Sequence, residues 1–204
     1  MGSSPSRLTE DHRTLVIDAS VAINLLGSGD PAQLLRPLAR RIVIEEIARD
    51  EVLRNPTNGQ PARPALDQLV KEGLLAYERL SERGYSEFLG LTGADPPDDL
   101  GDGEAATIAH TEEISGVILL DERKAERVAG KRTSGVEVLN TLDFISAPCL
   151  TDAIGQERLA DLTTAMLQNA RMRVAPRFRV WVIELIGRER AAMCQSLGLG
   201  FGQR

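Results

Sequence analysis

The chain has 204 residues, of which 42% are hydrophobic and 26% charged, and a formal net charge of −6. That length can bury one sizeable core, no apolar run approaches the ~20 residues of a membrane span, and the acidity argues against a protein that coats nucleic acid. Two cysteines without metal spacing, two solitary histidines and 3% aromatic residues exclude a thiol- or imidazole-based metal site, a Ser-His-Asp triad and a base-stacking platform.

Residues 1–12 are polar, lack an apolar signal segment and read as a disordered leader of a cytoplasmic protein. Thr14 to Asp18 follows as a continuous apolar strand ending on an acid, the pattern of a parallel sheet buried on both faces. Ala19 to Leu26 reads as a short helix starting at Ser20, and Pro31 opens another from the first-turn position. Ile42-Val43-Ile44 is a second strand. A helix from Glu45 runs through Ile47, Val52 and Leu53 until Asn55-Pro56 breaks it. Pro64 to Lys71 is helical by periodicity, and Leu74 to Leu80 reads as an edge-like strand. Gly84 to Pro97 is the least regular stretch. A Pro/Asp loop then leads into a helix carrying Gly103 and Glu104. Next come strand Val117 to Leu120 with Asp121 at its end, helix Glu122 to Ala129, strand Val136 to Leu139, and a helix from Thr141 to before Pro148.

About five strands with intervening helices predict an α/β fold, a three-layer α/β/α sandwich around a parallel sheet. Active sites of such sheets lie beyond the carboxyl ends of the strands, where Asp18 and Asp121 both sit. From 149 the pattern changes. Ile154 to Leu167 and Arg179 to Met193 have helical apolar spacing with no strand between, which predicts a C-terminal helical hairpin, packed on the domain or on a partner, and a flexible tail from Gly198. Residues 169–204 carry seven arginines against two glutamates, while the rest has 17 basic and 28 acidic side chains. An acidic body with a basic end can hold cations in one place and phosphates in another; the alternative is that the arginines solvate a helix and pair with the acidic body.

Competing motifs fail on their context. Gly101-x-Gly103-x-x-Ala106 follows a loop where a dinucleotide site needs a strand, and no Ser or Thr follows Lys131, as a P-loop requires. Ser20 stands where a phosphoryl-aspartate hydrolase needs a second acid, and Asn140-Thr141 stands where a receiver domain needs a lysine.

The surviving set is Asp18-Ala19-Ser20 after a strand, Ile42-Val43-Ile44 followed by a helix bearing Glu51, Gly103-Glu104-Ala105, and Leu119-Leu120-Asp121-Glu122-Arg123-Lys124. In that order these segments resemble the PIN domain family, in particular a branch of nucleic-acid-binding proteins related to VapC-type toxin ribonucleases. The resemblance covers residues 14 to about 145 and implies a PIN-like domain over 13–148 with a helical extension over 149–204. It implies a Mg²⁺- or Mn²⁺-dependent ribonuclease with an acidic quartet: Asp18 first, Glu51 second, Glu104 third and Asp121 fourth, with Asp18, Glu104 and Asp121 as metal ligands. Glu46 and Asp50 compete with Glu51 for the second place. Ser20 and Asp102 are outer-shell candidates, and Arg123 and Lys124 are phosphate contacts. The implied partners are RNA, an antitoxin protein and a second copy of the chain. Each acid also has a structural reading: Asp18 and Asp121 as strand-end caps, Glu104 as a carboxylate at a helix start, Glu51 as a solvated residue. Ser20 can bond a metal ligand or cap the next helix.

Crowded carboxylates raise one another's pKa until cations neutralise them, and a bound cation makes water nucleophilic. Two functions therefore stand side by side: a metal-dependent ribonuclease, and a catalytically silent binding or scaffold module acting through its C-terminal helices.

Overall fold

The computed structural model of the chain describes residues 4–9, 11, 14–132 and 137–198. Strands β1 (Thr14–Ile17), β2 (Arg41–Glu45), β3 (Ala76–Glu78), β4 (Val117–Leu119) and β5 (Val138–Leu139) form an all-parallel sheet in the order β3-β2-β1-β4-β5. Val136, expected in the last strand, lies outside the described residues.

The strands are apolar throughout because both faces are covered. Leu15, Ile17, Ile42, Ile44 and Leu119 point into one core, and Ile118 and Leu120 into the other, the alternation that a pleated strand imposes. The first core is closed by α1 (Ala19–Gly27), α2 (Pro31–Leu35), α4 (Arg63–Lys71) and the C-terminal helices; between β2 and α4 lies α3 (Glu46–Glu51). The second is closed by α5 (Glu82–Thr92), α6 (Asp102–Ile114) and α7 (Arg123–Arg132). This is the expected α/β/α sandwich.

Helix α5 lies where the sequence pattern is least regular. Gly84 and Gly90 lower helix propensity there, but Ser81 accepts a hydrogen bond from Gly84 N and Phe88 and Leu91 bury against α6. At Gly84 a Cβ would stand 2.6 Å from Glu113 Oε2, so the glycine that hides the helix is also what lets α5 approach α6. Helix α3 stops at Glu51, short of the expected Val52 and Leu53.

The C-terminal segment comprises α8 (Thr141–Ile145), α9 (Pro148–Ile154), α10 (Gln156–Asn169), α11 (Arg179–Ile186) and α12 (Arg188–Ala192). The expected hairpin is thus broken further, at Gly155 and Gly187, whose φ values of +80° and +82° end one helix and start the next. Leu159, Leu162, Met166, Phe178 and Val182 join the same core as β1 and α1. These helices complete the domain core. Of Val180, Ile183 and Ile186, only Val180 is freely exposed, at 67%.

The start of the described chain docks here too. Ser4 donates to Ser146 O, Ser6 to Asp143 O at 2.6 Å, and Arg7 Nη2 to Asp143 Oδ2 at 3.0 Å. Arg177, from the 3₁₀ turn before α11, grips the same Asp143 Oδ2 and also donates to Pro5 O at 3.3 Å. Residues 4–8, expected to be a disordered leader, are therefore tied to α8 through one buried carboxylate. Burial alone would raise the Asp143 pKa, but hydrogen bonds from Arg7 and Arg177 outweigh it and hold the group below the usual aspartate range.

A depressed carboxyl contributes stability above its unfolded pKa and loses it as pH falls through the folded value. Asp143→Asn should therefore cost about 1.5 kcal/mol at pH 7, the low end for charge-assisted bonds because both arginines are partly exposed. Its urea midpoint should respond less than the wild type's to acidification below the ordinary aspartate pKa of about 3.9.

Candidate active site

The order of the strands decides where the acids meet. The chain lays β1 in the middle of the sheet, builds outward through β2 and β3, then returns to place β4 on the other side of β1. The reversal leaves a crevice between the carboxyl ends of β1 and β4, the usual ligand position in an open parallel sheet. Register pairs Ile17 with Leu119, and Asp18 N donates to Leu119 O at 3.1 Å. Asp18 and Asp121 thus leave adjacent strands at the same rim.

Asp18 is 3% exposed. Its Oδ2 accepts Ser20 N at 3.1 Å and Ser20 Oγ at 2.7 Å, so Asp18, and not Ser20, caps α1, which begins at Ala19. Its other oxygen, Oδ1, is buried without a hydrogen-bond partner of good geometry among the described residues. Burial raises the Asp18 pKa, against the hydrogen bonds of Ser20 and weaker contacts from Ala19 N and the Thr107 side chain.

Asp121 is clasped by neighbours. Thr141 N donates to Oδ1 at 3.0 Å, and Thr141 Oγ1 and Asn24 Nδ2 both donate to Oδ2, the latter at 2.7 Å. Burial again raises its pKa, opposed by those bonds and reinforced by the charge of Asp18.

The two glutamates meet at the start of α6. Glu51 Oε1 accepts Gly103 N at 2.7 Å, and Glu104 Oε2 accepts Gly101 N at 3.2 Å. Both carboxylates therefore sit at the positive end of the α6 dipole, where free N–H groups favour negative charge. Burial raises both pKa values; Asp18 and Asp102 add to the effect at Glu51, and Asp18 and Glu122 add to it at Glu104, where Lys124 opposes it. Asp18 is common to all of them: its charge is felt at Glu51, Glu104 and Asp121.

The competing acids face elsewhere. Glu46 pairs with Arg49 at 2.9 Å and Arg79 at 2.5 Å, and Asp50 with Arg49 at 2.8 Å. Asp102 is exposed beside Glu51. Lys124 is engaged with Asp99 at 3.3 Å, whereas Arg123 is exposed with no carboxylate partner among the described residues. Asn24 and Thr141 join the site without having been expected there. Asn24 leaves a trace as the one amide in an apolar helix, and Thr141 stands out only as a position where a receiver domain would carry lysine. Gly103 gains a role that its motif does not disclose. A Cβ there would stand 2.3 Å from Glu51 Oε2, so only glycine leaves room for that carboxylate.

Among the described residues, no three His, Cys, Asp or Glu side chains are gathered so as to enclose one ion. The expected ligand set of Asp18, Glu104 and Asp121 is therefore not closed up, because each acid is held by donors near it in the fold. The donor chemistry nevertheless fits a hard cation: all-oxygen, mutually repelling, with a buried unpartnered oxygen at the centre.

A sequence model of the PIN domain family matches residues 14–188, a span that includes all four acids and reaches the start of α12. No curated protein and no solved structure matches the chain.

This geometry makes the site sensitive to one added methyl and to one removed charge. Gly103→Ala gains helix propensity and displaces only the end of a flexible side chain, so it should keep the wild-type unfolding temperature while weakening Mn²⁺ binding in calorimetry. The raised acids contribute stability only at low pH and lose it as pH rises through their folded pKa values. Asp18→Asn should therefore unfold at a higher temperature than the wild type at pH 7 in EDTA, and the difference should shrink on acidification.

Proposed function

The chain belongs to the PIN domain family, a fold of the nuclease type, and on that premise we propose that it is a divalent-cation-dependent ribonuclease. The observation that carries the reading is Asp18 Oδ1, buried and unpartnered at the centre of a field shared with Glu51, Glu104 and Asp121. An uncompensated buried charge is costly, and an oxygen-seeking cation removes that cost.

Asp18, Glu104 and Asp121 are the residues that would hold Mg²⁺ or Mn²⁺. When bound, such an ion makes a water nucleophilic near neutral pH and stabilises charge on the leaving oxygen. The chain's own contribution is positioning. Ser20 fixes the Asp18 carboxylate through Oδ2, which leaves Oδ1 free. Asn24 and Thr141 fix Asp121. Glu51 lies at the α6 start, where its raised pKa suits it to take or hold a proton at its carboxylate. No side-chain nucleophile is called for; Cys194 Sγ donates to Arg190 O, and His110 is engaged with Glu78 at 2.8 Å.

One observation favours the silent binding module: Asp18, Glu51 and Glu104 all satisfy helix-start amides, a purely structural use. The readings separate on one set of samples. In the ribonuclease, wild type binds Mn²⁺ and cleaves RNA with it, and Asp18→Asn or Asp121→Asn loses more than the ~10–100-fold of an outer-shell change. In the silent module neither protein binds or cleaves. The toxin reading depends on the same centre, so growth arrest on expression should vanish with Asp121→Asn.

A further inference from the structure

Beside the acidic centre lies an open groove of about 420 Å³, lined by Glu122, Arg123, Arg171, Arg173, Val174 and Ser196. Three of its six residues are arginines. Glu122 is the one opposing charge among them, and its carboxylate accepts Lys124 N at 3.3 Å. Arg123 and Arg171 are exposed and have no carboxylate partner among the described residues. Arg173 joins the groove to the centre: its Nη1 donates to Asp121 O at 2.6 Å, and it lines the small cleft formed by Asp121, Glu126 and Asn140. Its Nε is buried with no hydrogen-bond partner among the described residues, and its Nη1 lies 4.0 Å from Glu126 Oε1.

The backbone at Arg171 is the second sign. The chain leaves α10 through this residue with φ +53°, a left-handed position that glycine or asparagine normally fills after a helix. Next to it Met172 is 1% exposed and its N–H donates to Met166 O at 3.3 Å. Met172 anchors the reversal in the core while Arg171 and Arg173 both reach the groove. A long cation stands where a glycine would be less strained, and strain of this kind is a reason to look for a use of the side chain.

We propose that Arg123, Arg171 and Arg173 form a phosphate subsite that holds the backbone of an RNA strand beside the acidic centre, on the phosphodiester next to the one cleaved. Guanidinium groups suit this because their planar donors match phosphate oxygens. The four acids by themselves repel the substrate, and the groove supplies the opposite field at their edge. The inference takes its ligand from the ribonuclease reading but concerns binding, which can be measured without cleavage.

The test is equilibrium binding of a fluorescein-labelled 12-nucleotide single-stranded RNA in EDTA, titrated with KCl. Arg123→Ala and Arg171→Gly should each weaken binding roughly tenfold and flatten the dependence of log K on log salt by about 0.7 for each phosphate no longer neutralised. Arg171→Gly should do so while unfolding at the same or a higher temperature, which a merely structural role does not allow. Arg83→Ala, in the first turn of α5 and near the far end of α6, should bind as the wild type does. Wild-type affinity in both groove variants, or no RNA binding by the wild type in EDTA, overturns the subsite. Equal weakening for poly-glutamate marks the groove as a landing site for an acidic protein and also overturns it. If binding depends on the arginines but Mn²⁺ gives no cleavage of the same RNA, the ribonuclease reading fails and the subsite stands.

Discussion

Asp18 is held in a position that folding alone does not favour. Its backbone continues β1 into the rim, its Oδ2 caps α1, and its Oδ1 lies buried with no hydrogen-bond partner of good geometry among the described residues. A well-packed apolar residue would cost less there, as is general for buried charges. Three other carboxylates feel its charge, and all four have raised pKa values with burial as the first cause. The site is therefore strained electrostatically, the strain that the proposed cation would relieve, and the fold around it is arranged to bear it.

What bears it is the start of α6 and two neutral side chains. Helix-start amides at Gly101 and Gly103 donate to Glu104 and Glu51, and Asn24 and Thr141 donate to Asp121. These donors keep the acids apart and oriented without neutralising them. They also make the capping and the catalytic readings compatible, because a carboxylate with one oxygen on an amide keeps lone pairs for another ligand.

The C-terminal helices are part of the same arrangement. Their apolar faces finish the core over β1 and α1, and Arg177 joins Arg7 on Asp143, so that segments from both ends of the described chain meet at α8. The turn after α10 then carries Arg173 to Asp121. Positive charge from the basic end of the sequence thus reaches the acidic body at Asp143 and Asp161 and, through Arg173, beside the strand-end acids.

Local chemistry in the sequence determined much of this. Continuous apolar strands, an acid at the end of two of them and a Gly-Glu helix start specified the sandwich, its rim and three candidate acids, because strand periodicity and helix starts depend on near neighbours in the chain; Glu51 entered only through the resemblance to the PIN domain family. Glu51 could not be told from Glu46 or Asp50, since they lie close together on one short helix and only packing shows that the other two pair with arginines. Helix α5 was hidden because its glycines lower helix propensity, and only the packed structure shows that Gly84 suits a close helix contact. What Asn24, Thr141 and Arg173 pair with is not written locally: Asn24 and Asp121 are 97 residues apart, and Thr141 and Asp121 are 20 apart. The sequence by itself determined which residue types stand at the strand ends; only the tertiary structure, by placing β4 against β1, decided that they face one another, because strand order is a long-range choice that no local pattern encodes.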